Sequence, residues 1–161
     1  MGDGVSGALR GLLYGAAAGA AGTTALNAVT YLDMAVRARP ASSTPRDTVE
    51  ALASRAGVEI PGDNESRSNR VDALGPLTGL AAGIGVGLLL GAARAAGWRS
   101  GPIGTFAAAA ATVLIAGNGP MTALGITDPR SWNADAWLTD LVPHLAYAVV
   151  AAYVLDGLDD R

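Results

Sequence analysis

The sequence contains no cysteine and no lysine, and few of its residues are charged. Without cysteine the chain has no disulfide, no thiolate zinc site and no cysteine nucleophile. Without lysine it has neither a Schiff-base lysine nor the lysine of a phosphate-binding loop. Charged residues make up 16% of the chain, against about 25% in a typical soluble domain. With 50% hydrophobic residues in 161, this composition indicates a single membrane domain over residues 1–161.

Several function classes lack the residues they need. The net charge of −3 gives no electrostatic reason to expect a nucleic-acid partner. The chain has neither a GxSxG motif nor paired aspartates in the middle of an apolar stretch, so we expect no enzyme activity and no catalytic residues. It has one histidine and no HxxxH or ExxH pattern. We therefore expect no metal and no other cofactor.

Four apolar stretches approach the length of about 20 residues that a helix needs to cross about 30 Å of hydrocarbon. They cover residues 11–32, 73–93, 102–125 and 136–155. The pattern predicts an all-α fold, an integral membrane bundle of four transmembrane helices over about 8–35, 72–95, 102–125 and 135–156. A signal peptide with Arg10 as its basic region is the alternative for the first stretch. We favour a helix, because the apolar run continues past any cleavage point to Leu32.

Glycine recurs at every fourth residue in the first two predicted spans. Lipid removes most of the helix penalty of glycine, and the missing side chain lets two helix axes approach closely. We therefore expect the two glycine rows to pack against each other, and a glycine-lined pore is the alternative. Because a four-residue period drifts around a helix, all five glycines of the second row cannot contact one partner. The rows are Gly7, Gly11, Gly15, Gly19 and Gly75, Gly79, Gly83, Gly87, Gly91.

The first loop, residues 37–71, contains a predicted short amphipathic helix over 45–56. Thr44 can cap it, Pro45 suits its first position, and Gly57 can end it. Val49 and Leu52 lie on its apolar stripe. The helix is either a surface presented to a partner or a plain connector.

The arginines predict the orientation in the membrane. Seven lie in the two loops that share one face, and four lie on the other face. By the positive-inside rule, the face with seven is cytoplasmic and both termini are outside. The two groups are Arg37, Arg39, Arg46, Arg55, Arg67, Arg70, Arg130 and Arg10, Arg94, Arg99, Arg161.

Polar residues concentrate where the first and third spans end and the second and fourth begin. Asp140 and the single histidine, His144, lie one helical turn apart. Such a pair suits a proton relay or a small cation site, and an ion pair that only fixes the helix is the alternative. The "GNGP" segment predicts a kink or an unwound turn in the third span. The candidate polar site comprises Asn27, Tyr31, Asp33, Asn118, Asp140, His144 and Tyr147.

Three segments, "TALNAVTYLDMAVRARPASSTP", "GPLTGLAAGIGVG" and "GITDPRSWNADAWLTDLVPHLAYAVV", resemble small multi-pass membrane proteins of GC-rich bacteria. They are loosely similar to the YagU-like inner-membrane proteins. The resemblance spans most of the chain. It implies a helical protein of the inner (plasma) membrane and brings no catalytic residues.

Two function classes fit the sequence. We favour a structural or accessory membrane protein that presents the 37–70 loop to a partner. The alternative is a small transporter or a proton or cation conduit that uses Asn118, Asp140 and His144. The expected partners are the lipid bilayer and either a membrane protein or a second copy of the chain.

Overall fold

The computed structural model describes residues 2–159, and the side chains of residues 6–159. Within this range the protein is all-α, as predicted, with five α-helices and a short 3-10 helix at Pro129–Ser131. The predicted spans correspond to α1, α3, α4 and α5, and the short loop helix is α2. The helices are α1 Gly2–Arg37, α2 Thr44–Arg55, α3 Asn64–Ala95, α4 Pro102–Ala123 and α5 Ala134–Asp159.

Three helices, α3, α4 and α5, are long and apolar enough to cross a membrane, and they indicate a multi-pass membrane protein. The 36 residues of α1 give it sufficient length, but α1 is absent from this apolar group. Its many alanines and glycines contribute little hydropathy compared with leucine or isoleucine. Composition therefore supports three of the four predicted spans.

The structure differs from the predictions most at the start of the second span and inside the third. The second span was expected from residue 72, but α3 begins at Asn64. Asp63 caps it, because its side chain accepts a hydrogen bond of 2.9 Å from the Ser66 N–H. α4 stays helical through Gly117 and Pro120, so the unwound turn, one of the two predicted alternatives, is wrong, and the kink stays a prediction. Pro120 has no backbone N–H for the carbonyl of Ala116, one turn earlier in α4, which is the physical reason to expect that kink.

Four of the helices form a ring. α1 packs against α3 and α5, while α4 packs against α5 and α3 from the other side. The buried residues are mostly small, whereas many large apolar side chains are exposed on the outside. Small residues between helices and large apolar residues outside are typical of packing in a membrane. The buried cluster comprises Ala18, Val86, Leu90, Ala109, Val113, Tyr147, Ala148, Ala151 and Leu155.

The glycine rows of α1 and α3 meet in an antiparallel contact between the two backbones. Gly11, Gly15 and Gly19 face Gly91, Gly87 and Gly83, respectively, so closely that a Cβ at Gly19 would lie 2.6 Å from the Gly83 carbonyl oxygen.

The remaining glycines of the rows face other surroundings. Gly75 faces Pro45 of α2, and a Cβ at Gly79 or Gly7 would meet nothing within 4 Å. The row on α3 thus divides among α1, α2 and open surface, as a four-residue period on a helix of 3.6 residues per turn dictates.

Candidate functional site

Three of the predicted site residues, Asn118, Asp140 and His144, meet between α4 and α5. The Asn118 side-chain amide donates a hydrogen bond of 2.9 Å to Asp140 Oδ2. His144 Nδ1 lies 2.7 Å from the Asp140 backbone oxygen and 3.5 Å from Asp140 Oδ1. Both side chains of the Asp140–His144 pair are mostly buried. Their separation by one turn of α5 therefore does bring them together, and α4 supplies the third member.

The hydrogen bonds assign the tautomer of His144. A backbone carbonyl can only accept, so we place a proton on Nδ1, which leaves Nε2 of the neutral ring as an acceptor. Nε2 faces the backbone of α4, where a Cβ at Gly117 would lie 3.0 Å away. The glycine in "GNGP" therefore makes room for the imidazole.

Asn118 Oδ1 is buried and has no hydrogen-bond partner among the described residues. A buried acceptor without a partner is uncommon in proteins. Together with the Asp140 carboxylate it gives this cluster acceptor capacity for a proton or a small cation. No group of three or more His, Cys, Asp or Glu side chains suited to a metal occurs within the described part of the chain.

Tyr147 belongs to the packed core and not to this polar cluster. Its side chain is fully buried, and its hydroxyl donates a hydrogen bond of 2.6 Å to the Gly83 carbonyl oxygen. Its ring also covers Gly22 of α1. Tyr147 thus joins α5 to α3 and α1, which is a structural role.

The other three predicted residues lie on α1, away from the cluster. Asn27 and Tyr31 are exposed on its outer surface, Tyr31 by 60%. Asp33 pairs with Arg37 at 2.8 Å and with Arg39. Arg37 also pairs with Asp135 and donates a hydrogen bond of 2.7 Å to Thr139 Oγ1. The structure therefore divides the seven predicted residues into a cluster of three, one core residue and three residues of α1.

The Asp33 ion pairs form one end of a groove between α1 and α5. Its volume is about 260 Å³, and apolar side chains form most of the rest of its lining. They are Val29, Leu138, Val142 and Pro143.

A second polar cluster, at the opposite end of the bundle, was missed by the sequence analysis. Arg94 at the end of α3 is only 5% exposed. It pairs with Asp156 and lies 3.3 Å from Asp159, both near the end of α5. It also donates a hydrogen bond of 2.6 Å to Thr105 of α4, and its guanidinium lies 5.0 Å from the centre of the Trp98 ring.

An apolar segment separates the two clusters. From Tyr147 to Asp156 the axis of α5 rises by about 13 Å, and the buried side chains between these residues are alanine and leucine. Val86 and Leu90 of α3 and Ala109 and Val113 of α4 complete this segment. The fully buried side chains along this part of the described core are therefore apolar, and a charge among them is strongly disfavoured.

No protein-family model, curated protein or solved structure matches the chain. The resemblance to YagU-like proteins stays a prediction.

Proposed function

We propose that all four long helices cross the inner (plasma) membrane, with α1 as the fourth span. The support is the backbone contact between Gly11–Gly19 of α1 and Gly83–Gly91 of α3. This part of α3 belongs to an apolar helix long enough to span. A helix in backbone contact with it lies at the same depth. Leu9, Leu13 and Leu32 on the outer surface of α1 are exposed, as expected for side chains in lipid.

We infer that the protein is a structural or accessory membrane subunit without enzymatic activity, and that it presents the loop of residues 37–70 to a partner. The observation that carries this proposal is the attachment of α2 to the bundle. Val49 is buried, and Pro45 packs on Gly75 of α3. Arg46 pairs with Asp72.

Two further polar contacts hold α2 in place. Arg67 donates a hydrogen bond of 2.8 Å to Glu50, and Arg55 donates one of 3.2 Å to the Leu124 carbonyl oxygen at the end of α4. A surface held in one position by the protein itself costs little to order when a partner binds.

Leu52 of α2 and the segment that follows α2 offer an apolar surface for this partner. Leu52 is 46% exposed and Val58 is 61% exposed. Val58 also lines a groove of about 380 Å³ beside Ile60. Charged residues Glu50, Glu59 and Arg67 border the groove, which gives the apolar centre and polar rim of a protein interface.

The test is purification in mild detergent with quantification of any protein that stays bound in a fixed ratio. Val58→Glu, combined with Leu52→Glu, is expected to lose this partner while the thermal stability of the bundle is unchanged. Ala96→Glu, an exposed position at the opposite end, is the matched control and is expected to keep it. Retention of the same partner by the double variant would contradict the proposal.

The conduit is a second candidate, favoured by one observation, the Asn118–Asp140–His144 cluster. The apolar segment between Tyr147 and Asp156 argues against passage through a single bundle. In liposomes, we expect the purified protein to give no proton flux above that of empty vesicles. Flux that is present in the wild type and lost in Asp140→Asn, with the fold retained, would favour the conduit over the accessory role.

A further inference from the structure

The outer surface of α1 carries a side chain that is out of place in lipid. The four apolar stretches contain two asparagines, Asn27 and Asn118. Asn118 is partly buried between helices, but Asn27 is exposed. The described residues offer the Asn27 carboxamide no hydrogen bond.

The depth of Asn27 follows from the contact between α1 and α3. Gly19 and Thr23 of α1 lie against Gly83, the middle of the charge-free stretch 73–93. Asn27 lies one to two turns further along α1, about 6–12 Å from this level. Half of the hydrocarbon layer is about 15 Å thick. If α1 spans the membrane as proposed, Asn27 therefore lies inside the hydrocarbon.

The side chain cannot reach the headgroups. Asp33, the nearest charged residue on α1, is about 9 Å further along the helix axis. Tyr31 is different, because at the edge of the stretch an exposed tyrosine fits the interfacial aromatic belt without any partner. A carboxamide without a hydrogen bond in hydrocarbon costs free energy that a neighbouring helix can recover.

We propose that this surface of α1 is the interface between two copies of the chain, with the two Asn27 side chains hydrogen-bonded to each other. Copies inserted with the same orientation meet their own equivalents at equal depth across a two-fold axis along the membrane normal. A carboxamide has both donors and acceptors, so an identical partner satisfies it. Thr24 and Ala28, exposed on either side of Asn27, are small enough to let a second α1 approach.

The absence of cysteine allows a direct test with single introduced cysteines in membranes. Ala28→Cys is expected to form a disulfide-linked dimer on mild oxidation. Ala107→Cys, exposed on the outside of α4, is the matched control and is expected to give only the background of random collisions. Equal cross-linking at both positions, or none at residue 28, would overturn the proposal.

The second measurement is energy transfer between donor- and acceptor-labelled copies in liposomes of phosphatidylethanolamine and phosphatidylglycerol. Asn27→Leu is expected to weaken association by about three- to tenfold, the range that single hydrogen bonds between membrane helices give. Because Asn27 is exposed, this variant is expected to keep the thermal stability of the bundle. Association equal to that of the wild type would contradict the role of Asn27.

The same Ala28→Cys variant separates this proposal from the crossing of the membrane by α1. A water-soluble maleimide is expected to label it slowly, since residue 28 lies in lipid or at the interface. Rapid labelling would mean that α1 lies outside the bilayer, and both proposals would fail. Slow labelling without cross-linking would overturn the dimer alone.

Discussion

At the scale of single residues, the close packing of the bundle depends on glycines at the contacts between helices. Gly15 and Gly87 bring the backbones of α1 and α3 into contact, and Gly117 admits the ring of His144. Gly15 and Gly87 cannot accept a methyl group unless the helices move apart, whereas a methyl group at Gly117 would require the imidazole to shift. Gly79, on the same row of α3, faces open space. Glycine is thus required for close packing at Gly87 and is not required at Gly79, two turns away on the same helix.

This difference gives a matched pair of variants. Gly87→Ala is expected to destabilise the bundle by about 1–3 kcal/mol, because the added Cβ would overlap the Gly15 carbonyl oxygen. Gly79→Ala is expected to leave stability unchanged or slightly increased, since alanine is the better helix former. Thermal unfolding in detergent measures both. Equal midpoints for the two variants would exclude the close contact of α1 with α3.

The buried ion pair of Arg94 gives a second prediction at this scale. Arg94→Met is expected to destabilise the bundle by about 3 kcal/mol, because it leaves Asp156 and Asp159 without their partner in a partly buried site. Arg94→Lys retains the charge but cannot bond Thr105 and Asp156 with one planar group, so an intermediate loss is expected. Thermal unfolding of both variants measures this, with Arg10→Met, an exposed arginine of α1, as the control. An unfolding midpoint of Arg94→Met equal to that of the wild type would show that the cluster contributes no stability.

At the scale of helices, the sequence predicts which elements form better than which way they face. Pro45 and Gly57 mark α2, and the apolar stretches mark α3, α4 and α5. The angular position of a residue on a mostly apolar helix is harder to infer, because such a helix lacks a polar face that would orient it. Asn27 and Asn118 both lie in the second half of an apolar stretch, yet Asn27 is exposed and Asn118 is partly buried.

The polar clusters at the two ends of the bundle show the same limit on what the sequence predicts. Asp140 and His144 could be paired from the sequence because their spacing of four residues is a property of one helix. The pairing of Arg94 with Asp156 and Asp159 could not be predicted from the sequence, because it depends on how α3 and α5 approach each other. Their only sequence signal is a common place at the same end of an antiparallel bundle.

The start of α3 gives a prediction about pH. The Ser66 N–H donates a hydrogen bond to the Asp63 carboxylate and holds the pKa of Asp63 below its usual value. A carboxyl with a lower pKa in the folded state stabilises fully above its unfolded pKa, which is about 3.9. This stabilisation is lost as the pH falls through the folded pKa.

We therefore expect the first turn of α3 to fray in acid. Hydrogen exchange at the Ser66 amide, measured by NMR in detergent, is expected to show less protection below the folded pKa of Asp63, after correction for the intrinsic pH dependence. Asp63→Asn keeps a capping side chain without a titrating group, so its corrected protection is expected to be constant. A pH profile shared by the two proteins would mean that Asp63 does not control this turn.

At the scale of the whole molecule, the bundle has two polar ends and an apolar core of mostly small residues between them. The end that carries α2 holds the Asn118–Asp140–His144 cluster and the ion pairs of Asp33. The other end holds Arg94 and its two carboxylates. Seven of the arginines lie at the α2 end and three, Arg10, Arg94 and Arg99, at the other end, while Arg161, which was predicted on that second face, lies outside the described residues. This unequal distribution of arginine between the two ends of the bundle predicts the orientation in the membrane.

Orientation can be measured with single cysteines in intact cells, since the chain has none of its own. Ala96→Cys lies in the connection between α3 and α4, Ser54→Cys in α2, and Asn133→Cys in the connection between α4 and α5, all exposed. A membrane-impermeant maleimide is expected to label residue 96 from outside, because the end with few arginines faces away from the cytoplasm. Residues 54 and 133 are expected to react only after permeabilisation.

The opposite labelling at all three positions would mean that the protein has the reverse orientation in the membrane, with the same helices crossing it. Equal labelling of 54 and 96 would mean that α3 does not cross the membrane, and equal labelling of 96 and 133 would mean the same for α4.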